Sequence, residues 1–517
     1  MRRLAPGLVV VAALGAAPSH AAVPGTIDGS YGTCGVLRAP GPAANAPPAG
    51  ALRLPGGGGI AVGTASSVLV TVKVRPDGQI DTSYGNVGTT TTTTLGGFER
   101  PNYGFSAVAA QSGGRIVVAG QGGERNDPGR AQAALARLNA DGSLDASFGS
   151  GGVVLNALQG GTRSSLHDVD VDAAGRILVA GERDDGFALA RFTPDGAPDS
   201  GWGSGGVAQF TFPGTKRGSA AAIRALPDGS ALAGGQADEQ FALARLKPDG
   251  TLDPGFGSGG VTLDSPPAAA GITAIEPLAD GRIVVGGRAA DINGEELAVA
   301  RFTADGRPDT SFARAGFALT RDVRRANEIL VQDDGGLLVT GDGFARFTPA
   351  GAPDPAFGAG GVFGTINVGD VLLGQDGSAL GVIFFRTGMG FQRHALSGPA
   401  LAALAPQPAI CGVRITTRRV RELVSDDDSP YGSLGAGFDT LEPTITRWSA
   451  TVRVGGRNVR LRTVRDRWDQ AVPDEEVIIP LTRSQRARIA RARSAHVTLT
   501  GRDSAGRAVT AERDLKR

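Results

Sequence analysis

Three histidines follow residue 21 (His167, His394 and His496), and they stand in three different regions of the 517-residue chain. A histidine metal cluster or a His-assisted nucleophile needs such side chains beside Cys, Asp, Glu or Ser partners. The short metal-protease and P-loop signatures are missing as well. Carboxylates and arginines are left as the groups that could do chemistry. Asp168-Val-Asp170-Val-Asp172 sets three carboxylates at alternate positions, which is one face of a strand. Calcium takes clustered oxygens, but the spacing and glycine of the twelve-residue calcium loop are lacking. Asp426–Asp428, in SDDDSPYGSLGAG, raises the same question. Calcium is one reading of both segments; a solvated strand surface and a solvated loop are the readings we favour, and no cofactor is expected. Acid-only chemistry, as in glycoside hydrolysis, stays open because Asp and Glu are plentiful.

A base and an acid recur eight residues apart: Arg137/Asp145, Arg191/Asp199, Arg245/Asp253, Arg301/Asp309 and Arg346/Asp354, with Lys73/Asp81 as a variant. We expect each pair to meet and brace the turn that carries a nearby aromatic; the alternative is that base and acid point separately to water. The repetition exposes a larger unit. FALARFTPDGAPDSGWGSGGV at 187–207 returns as FALARLKPDGTLDPGFGSGGV from Phe241 and as ALARLNADGSLDASFGSGGV from Ala134. The aromatic before its glycine falls at Tyr84, Phe148, Trp202, Phe256, Phe312 and Phe357, in steps of 64, 54, 54, 56 and 45 residues. The Asp-Gly pairs inside the unit read as turn chemistry rather than ligands, since Gly takes positive φ and Asp bonds its own backbone.

Each unit also holds a hairpin, such as VDVDAAGRILVAG at 169–181. Two hairpins per unit give four antiparallel strands, the make-up of a propeller blade. The inner hairpin occurs seven times, from LRLPGGGGIAVG (52–63) to VLLGQDGSALGVI (371–383). The last copy lacks its Asp-containing segment, and TIDGSYGTCGV at 26–36 supplies one. We therefore expect a seven-bladed β-propeller closed by the N-terminal strand, with Asp28 meeting Arg393. A closed ring has no radial edge to aggregate, and a monomer is expected. The aligned position of the innermost strands reads Arg53, Ala109, Asp170, Arg224, Glu276, Leu330 and Leu372. Arg53, Asp170, Arg224 and Glu276 are thus the candidate ligand-binding residues of the channel. That these charges merely satisfy one another and water is the reading we favour for this position.

On ALARF-x-x-DG-x-x-D-x-x-FG-x-GGV the repeats resemble the delta-60 repeat family of exported bacterial proteins, over roughly residues 26–400. The resemblance implies a propeller-like fold and no particular activity, so it assigns no catalytic residue. Phe312-Ala313 loses the motif glycine and Ala350 replaces the turn aspartate. The C-terminal part resembles β-domains appended to secreted actinobacterial proteins.

Residues 1–21 read as a secretory signal peptide: Arg2 and Arg3, an apolar stretch from Leu8 to Ala17, and Ser19-His20-Ala21 at the cleavage site. A secreted, extracellular protein follows from this. Cys34 and Cys411 are then expected to form one disulfide. Domain boundaries are expected at 22–405 for the propeller and 406–517 for a small β-sandwich with one short helix at Thr482–Arg493. The arginines of that helix spread around it, and a solvated face is favoured over a polyanion site. With 52 Lys and Arg against 51 Asp and Glu, no global field draws the chain to nucleic acid or membrane. The function expected is a non-catalytic binding or scaffolding module for a glycan, cell-surface polymer or protein. The rival is a carbohydrate-active lyase or hydrolase using carboxylates on one propeller face, which 5% aromatic content disfavours.

Overall fold

The computed structural model describes residues 26–27, 36–38, 48–92, 104–122, 132–363, 368–395, 410–415, 433–440, 444–468, 475–480, 494–502 and 508–516, with short breaks inside several ranges. For most residues before 49 and after 362 it describes the backbone alone. The chain is all-β. Among the described residues the only helix is one 3-10 turn at Ser112–Gly114.

The third sheet shows how a repeat folds. Ser164–Val171, Ile177–Arg183, Gly186–Phe192 and Val207–Phe210 pair antiparallel in chain order. Asp172 Oδ1 accepts the amides of Ala174 and Arg176, and Gly175 takes φ +78°, which closes the first hairpin. The second hairpin turns on Asp184 and Asp185, both at positive φ (49° and 61°), the geometry that matches strand twist in two-residue turns. The strand Gly186–Phe192 is buried along its whole length, because sheets cover both its faces.

Seven such sheets follow one another, and the inner strands of sheets one to seven begin at Pro48, Gly104, Ser164, Gly218, Ala269, Glu328 and Val368. Neighbouring sheets pack through these inner strands, sheet seven against sheet one included. Sheets six and seven meet through Leu337–Thr340 and Val368–Leu373. The outer edge of the seventh sheet is supplied by the N-terminus: Thr26–Ile27 and Val36–Arg38 both pair with Gly388–Ala395. The register repeats that of the other sheets. Ile27 lies opposite His394 and Val36 opposite Gln392, two residues earlier. In the third sheet Pro198 lies opposite Phe192 and Val207 opposite Ala190, again two residues earlier. In sequence Asp28 follows Ile27 as Asp199 follows Pro198, and Arg393 precedes His394 as Arg191 precedes Phe192. Asp28 lies outside the described residues, as does the Arg393 side chain.

The base–acid pairs do more than brace their own turns. Arg137, Arg191 and Arg301 are buried, and each Nε donates to its aspartate: Asp145 at 2.8 Å, Asp199 at 2.8 Å and Asp309 at 2.7 Å. Lys73 stands 3.3 Å from Asp81, and Arg346 contacts Asp354. The guanidinium carbons of Arg137, Arg191 and Arg301 lie 4.7, 5.7 and 4.7 Å from the rings of Phe148, Trp202 and Phe312. Nη1 then crosses to the next sheet, where Arg191 donates to Pro248 O at 2.9 Å and Arg301 to Pro349 O at 2.7 Å. Arg137 reaches Pro194 O in the same way. The pair is a fastener between sheets. Arg245 departs from it: Nε sits 3.5 Å from Asp253 with no hydrogen bond, and Nη2 turns to Asp228 at 3.0 Å. The next turn carries Ala304 where the other three carry proline.

The backbone beside the aromatic fastens the same seam. Gly203 N donates to Asp249 O at 2.7 Å and Gly257 N to Asp305 O at 2.7 Å. Gly250, at φ +81°, lies so close over this seam that a Cβ would stand 2.5 Å from Gly203 N and 2.7 Å from the Trp202 ring. Ala313, in place of the motif glycine, keeps the positive φ (44°) and the bond to Ala350 O at 2.7 Å.

Residues 410–516 form two further antiparallel sheets. One joins Ile410–Ile415, Ser433–Thr440 and Glu475–Pro480; the other orders Arg457–Arg460, Thr444–Val454, Ser494–Arg502 and Ala508–Lys516, with Val464–Trp468 also on Thr444–Val454. The sheets touch where Ile410–Ile415 meets Ala508–Lys516. Alternation explains the packing: Ala450, Val452, Val497 and Leu499 are buried while Ser449 and Arg453 are exposed. The helix expected at Thr482–Arg493 and the Asp426–Asp428 run lie outside the described residues. So does Cys34, and Cys411 is described by its backbone only.

Candidate functional site

The innermost strands carry a β-bulge at a repeated place, and the bulge acts as a ruler. In sheets two, three and five the bulged residue is Ser106, His167 and Thr273. Each side chain crosses to a backbone carbonyl in or just before the next inner strand: Ser106 Oγ to Leu166 O at 3.0 Å, His167 Nδ1 to Ala220 O at 3.0 Å, and Thr273 Oγ1 to Ala326 O at 2.5 Å. A carbonyl only accepts, so Nδ1 of His167 carries its proton and Nε2 faces Ser165 Oγ at 2.9 Å. His167 is thereby held as part of a seam. His496 is bonded to Asp514 at 2.8 Å, and the side chain of His394 is not described.

Three residues beyond the bulge stand Ala109, Asp170, Arg224 and Glu276, opposite Val117, Leu178, Leu232 and Val284. In sheet one the same place is taken by Leu52, opposite Ile60, and Arg53 pairs with Gly59 one residue further on. The expected placement of Arg53 in the arc is therefore wrong by one residue. A shift of one turns a side chain to the other side of a strand, and Arg53 is exposed.

Asp168, one residue past the bulge, joins the arc instead. Its Oδ2 accepts the amide of Ile223 at 2.8 Å and Arg224 Nη1 at 3.1 Å, and Asp170 Oδ2 accepts the amide of Ala225 at 2.8 Å. Both amides belong to the inner strand of the next sheet, whose edge pairs with no further strand among the described residues. The two carboxylates cap that edge. Asp172 does not converge with them, since it binds Arg176 Nε at 2.6 Å within its own hairpin. The three-carboxylate calcium arrangement is thus split between two tasks. Among the described residues no group of three His, Cys, Asp or Glu side chains is placed to hold a metal ion.

The field of the arc is uneven. Burial raises the Asp168 carboxyl above its ordinary value, against the pull of Arg224. Burial likewise raises Glu276, with Arg224 lowering it and Asp170 raising it further. Burial would lower Arg224, but Asp168, Asp170, Glu276 and Glu328 outweigh it and its pKa rises. Asp168 and Arg224 keep 21% and 29% of their side-chain surface, so the arc reaches water although protein crowds it. Glu328 was outside the expected arc. It precedes Leu330 by two residues, as Asp168 precedes Asp170, and Leu330 and Asp170 stand opposite Leu338 and Leu178.

A second recess, of about 570 Å³, opens on the outer rim between sheets one and two. Its walls are Thr89–Thr92, Asn86 and the turn Asp141–Leu144. Beside it the Tyr84 hydroxyl bonds Thr71 Oγ1 at 2.8 Å, and Thr71 bonds Thr90 at 2.6 Å. The recess is rich in hydroxyls.

The profile of a family described as "Domain of unknown function (DUF5122) beta-propeller" matches residues 111–148, 175–201, 226–256 and 278–312. Each stretch runs from the first hairpin of a sheet to its aromatic or just short of it, so the match is to the repeat. The fold is a β-propeller. Solved structures of similar fold include a catalytically inactive virginiamycin B lyase from Staphylococcus aureus with quinupristin, at 12% identity and a TM-score of 0.45, covering 70% of this chain and 99% of that one. A Penicillium chrysogenum alpha-L-arabinanase complexed with arabinobiose gives 10%, 0.35, 74% and 98%. A Lactobacillus plantarum protein gives 16%, 0.38, 62% and 85%. None of these bears on what this propeller binds. No curated protein matches the chain. Among the described residues no helix is long and apolar enough to cross a membrane.

Proposed function

We propose that the seven sheets close as one seven-bladed ring, and that the protein is an exported, non-catalytic binding module whose ligand is a glycan or cell-surface polymer. The engagement of the channel carboxylates supports this reading most. Asp168 and Asp170 accept backbone amides of the next blade. A general acid or base would have to give up such bonds each time its proton moved. Arg224 and Glu276 stand where blades one, two and six carry Leu52, Ala109 and Leu330. A ligand with hydroxyl and charged groups meets a guanidinium and a carboxyl there. The hydroxyl-rich recess at Thr89–Thr92 suits the same class. Export rests on residues 1–21, and cleavage after Ala21 is the expected start of the secreted protein.

The test is a glycan-array and polymer-pulldown screen of the mature protein, repeated with Arg224→Ala and Glu276→Gln. Binding that falls at least tenfold in either variant supports the channel. Release of reducing ends or unsaturated sugars from a bound polymer would establish the rival lyase or hydrolase reading.

A further inference from the structure

The larger C-terminal sheet carries a second, separate surface. Cross-strand register sorts its residues into rows that share one face. Arg465, Arg447 and Arg502 lie abreast, with Ala508 beyond them. The next row is Ser449, Thr500 and Thr510; then Arg460, Thr451, Thr498 and Glu512; then Asn458, Arg453, His496 and Asp514. Ile445 with Arg467 continues the face at the other end. Six arginines thus share a face with two carboxylates, and one of those, Asp514, is bonded to His496. Where side chains are described, Ser449, Arg453, Asn458, Arg460 and Asp514 are exposed, and the alternate residues Ala450, Val452, Val459, Val497 and Leu499 are buried. Trp448 and Trp468 fall in the buried register.

Like charges directly opposite one another weaken a sheet. Three arginines abreast, about 10 Å across at the usual strand spacing, are a poor choice for a face that meets only water. The charge is also local. Residues 409–517 hold 21 Lys and Arg against 14 Asp and Glu, which leaves 31 against 37 for residues 1–408. An anionic chain would be repelled by the propeller and drawn to this end.

We propose that this face binds an anionic polysaccharide. Arginine forks match carboxylate and sulfate groups, and the rows of Ser and Thr between them match sugar hydroxyls. The face holds no aromatic residue in its register rows, so it lacks the stacking platform that single-stranded nucleic acid uses. This inference is independent of the channel, and the two fail separately.

The probes are dextran sulfate and polygalacturonate, with uncharged dextran as control, titrated against the mature chain at several salt concentrations. The acidic polymers should bind and dextran should not, with affinity falling steeply as salt rises. Arg447→Ser/Arg465→Ser/Arg502→Ser should weaken binding at least tenfold and flatten the salt dependence, while the melting temperature holds or rises as repulsion is relieved. Arg483→Ser/Arg486→Ser/Arg488→Ser, in the segment outside the described residues, should leave binding nearly unchanged. The proposal is overturned if the sheet variant binds as tightly as the parent, if the second variant abolishes binding instead, or if neither acidic polymer binds. Tighter binding to duplex or single-stranded DNA than to either polysaccharide overturns it too. Arg224→Ala should not alter these titrations, which separates this surface from the channel.

Discussion

Arg191 holds three groups at once: the Asp199 carboxylate, the Pro248 carbonyl and the Trp202 ring. Arg191 keeps 5% of its side-chain surface and Asp199 20%, so truncation removes two hydrogen bonds and a ring contact made by a largely buried cation. We expect Arg191→Ala to cost about 3–5 kcal/mol. Arg245→Ala should cost about 1 kcal/mol, because its Nε has no hydrogen bond and its Asp228 contact is more open. Urea unfolding measures both, and equal losses would show that the cross-seam bond contributes little. The acids set the pH response. Asp309 is held at about 2, first by the Ser311 hydroxyl and then, against burial, by Arg301. Its folded value lies below the unfolded one of about 3.9, so its contribution is present above pH 4 and lost as pH falls toward 2. That loss should be about 1–2 kcal/mol, and Asp309→Asn should flatten the acid limb of stability against pH. Glu276 has the opposite sign. Its raised value makes the ionised form unfavourable at neutral pH, so Glu276→Gln should raise the melting temperature at pH 7 and not at acid pH. The sequence spacing carried the base–acid partnership, since eight residues span a turn. It could not carry the Arg–Pro carbonyl bond, which depends on how the sheets pack, nor the register at Arg53, which the glycine run 56–59 leaves open to a slip of one residue.

Strands and turns were the most legible elements. ALARF reads as a strand because it is apolar but for its arginine, and it is buried on both faces in the structure. Asp184-Asp185 was less legible, because a two-residue turn at positive φ usually announces itself with Gly or Asn. The glycines of the repeat show two different constraints, and substitution separates them. At Gly250 a Cβ would meet the neighbouring backbone and the Trp202 ring, and φ is +81°. At Gly259 φ is +66° and no atom lies within 4 Å of that position. Gly259→Ala should therefore cost about 1 kcal/mol, the backbone term alone. Gly250→Ala adds overpacking at the seam and should cost about 3 kcal/mol or more. Comparable thermal shifts in the two variants would show that the turn does not dock as tightly as the geometry states.

At the scale of the whole chain, the leftover half-repeat at the N-terminus was enough to foresee which strand finishes the seventh sheet, because a repeat unit cannot bury its edge alone. The two-sheet make-up of residues 410–516 was legible from alternation, but its arginine rows were not, since register arises from strands far apart in sequence. Cys34 and Cys411 belong to this scale. A bridge between them would close most of the chain into a loop, which in the chain-entropy account stabilises by about 4–5 kcal/mol. Thiol titration of the unfolded, unreduced protein should find none free, and two free thiols would end that expectation.

The closure itself can be tested through one pair of side chains. Ile27 stands opposite His394 as Pro198 stands opposite Phe192, so Asp28 should meet Arg393 as Asp199 meets Arg191. Reversing one charge places two like charges at a seam, and Asp28→Arg or Arg393→Asp alone should each cost about 2–4 kcal/mol. The double exchange restores opposite charges in a swapped order. It should recover a coupling energy of at least about 1 kcal/mol in a double-mutant cycle. Arg191→Asp with Asp199→Arg supplies the reference, because that pair is closed within one continuous repeat. Additive losses at 28 and 393 beside clear coupling at 191 and 199 would mean that the N-terminal strand completes the sheet by backbone pairing alone. Coupling of similar size at both places would mean that the junction is fastened by the same chemistry as the seam at Arg191.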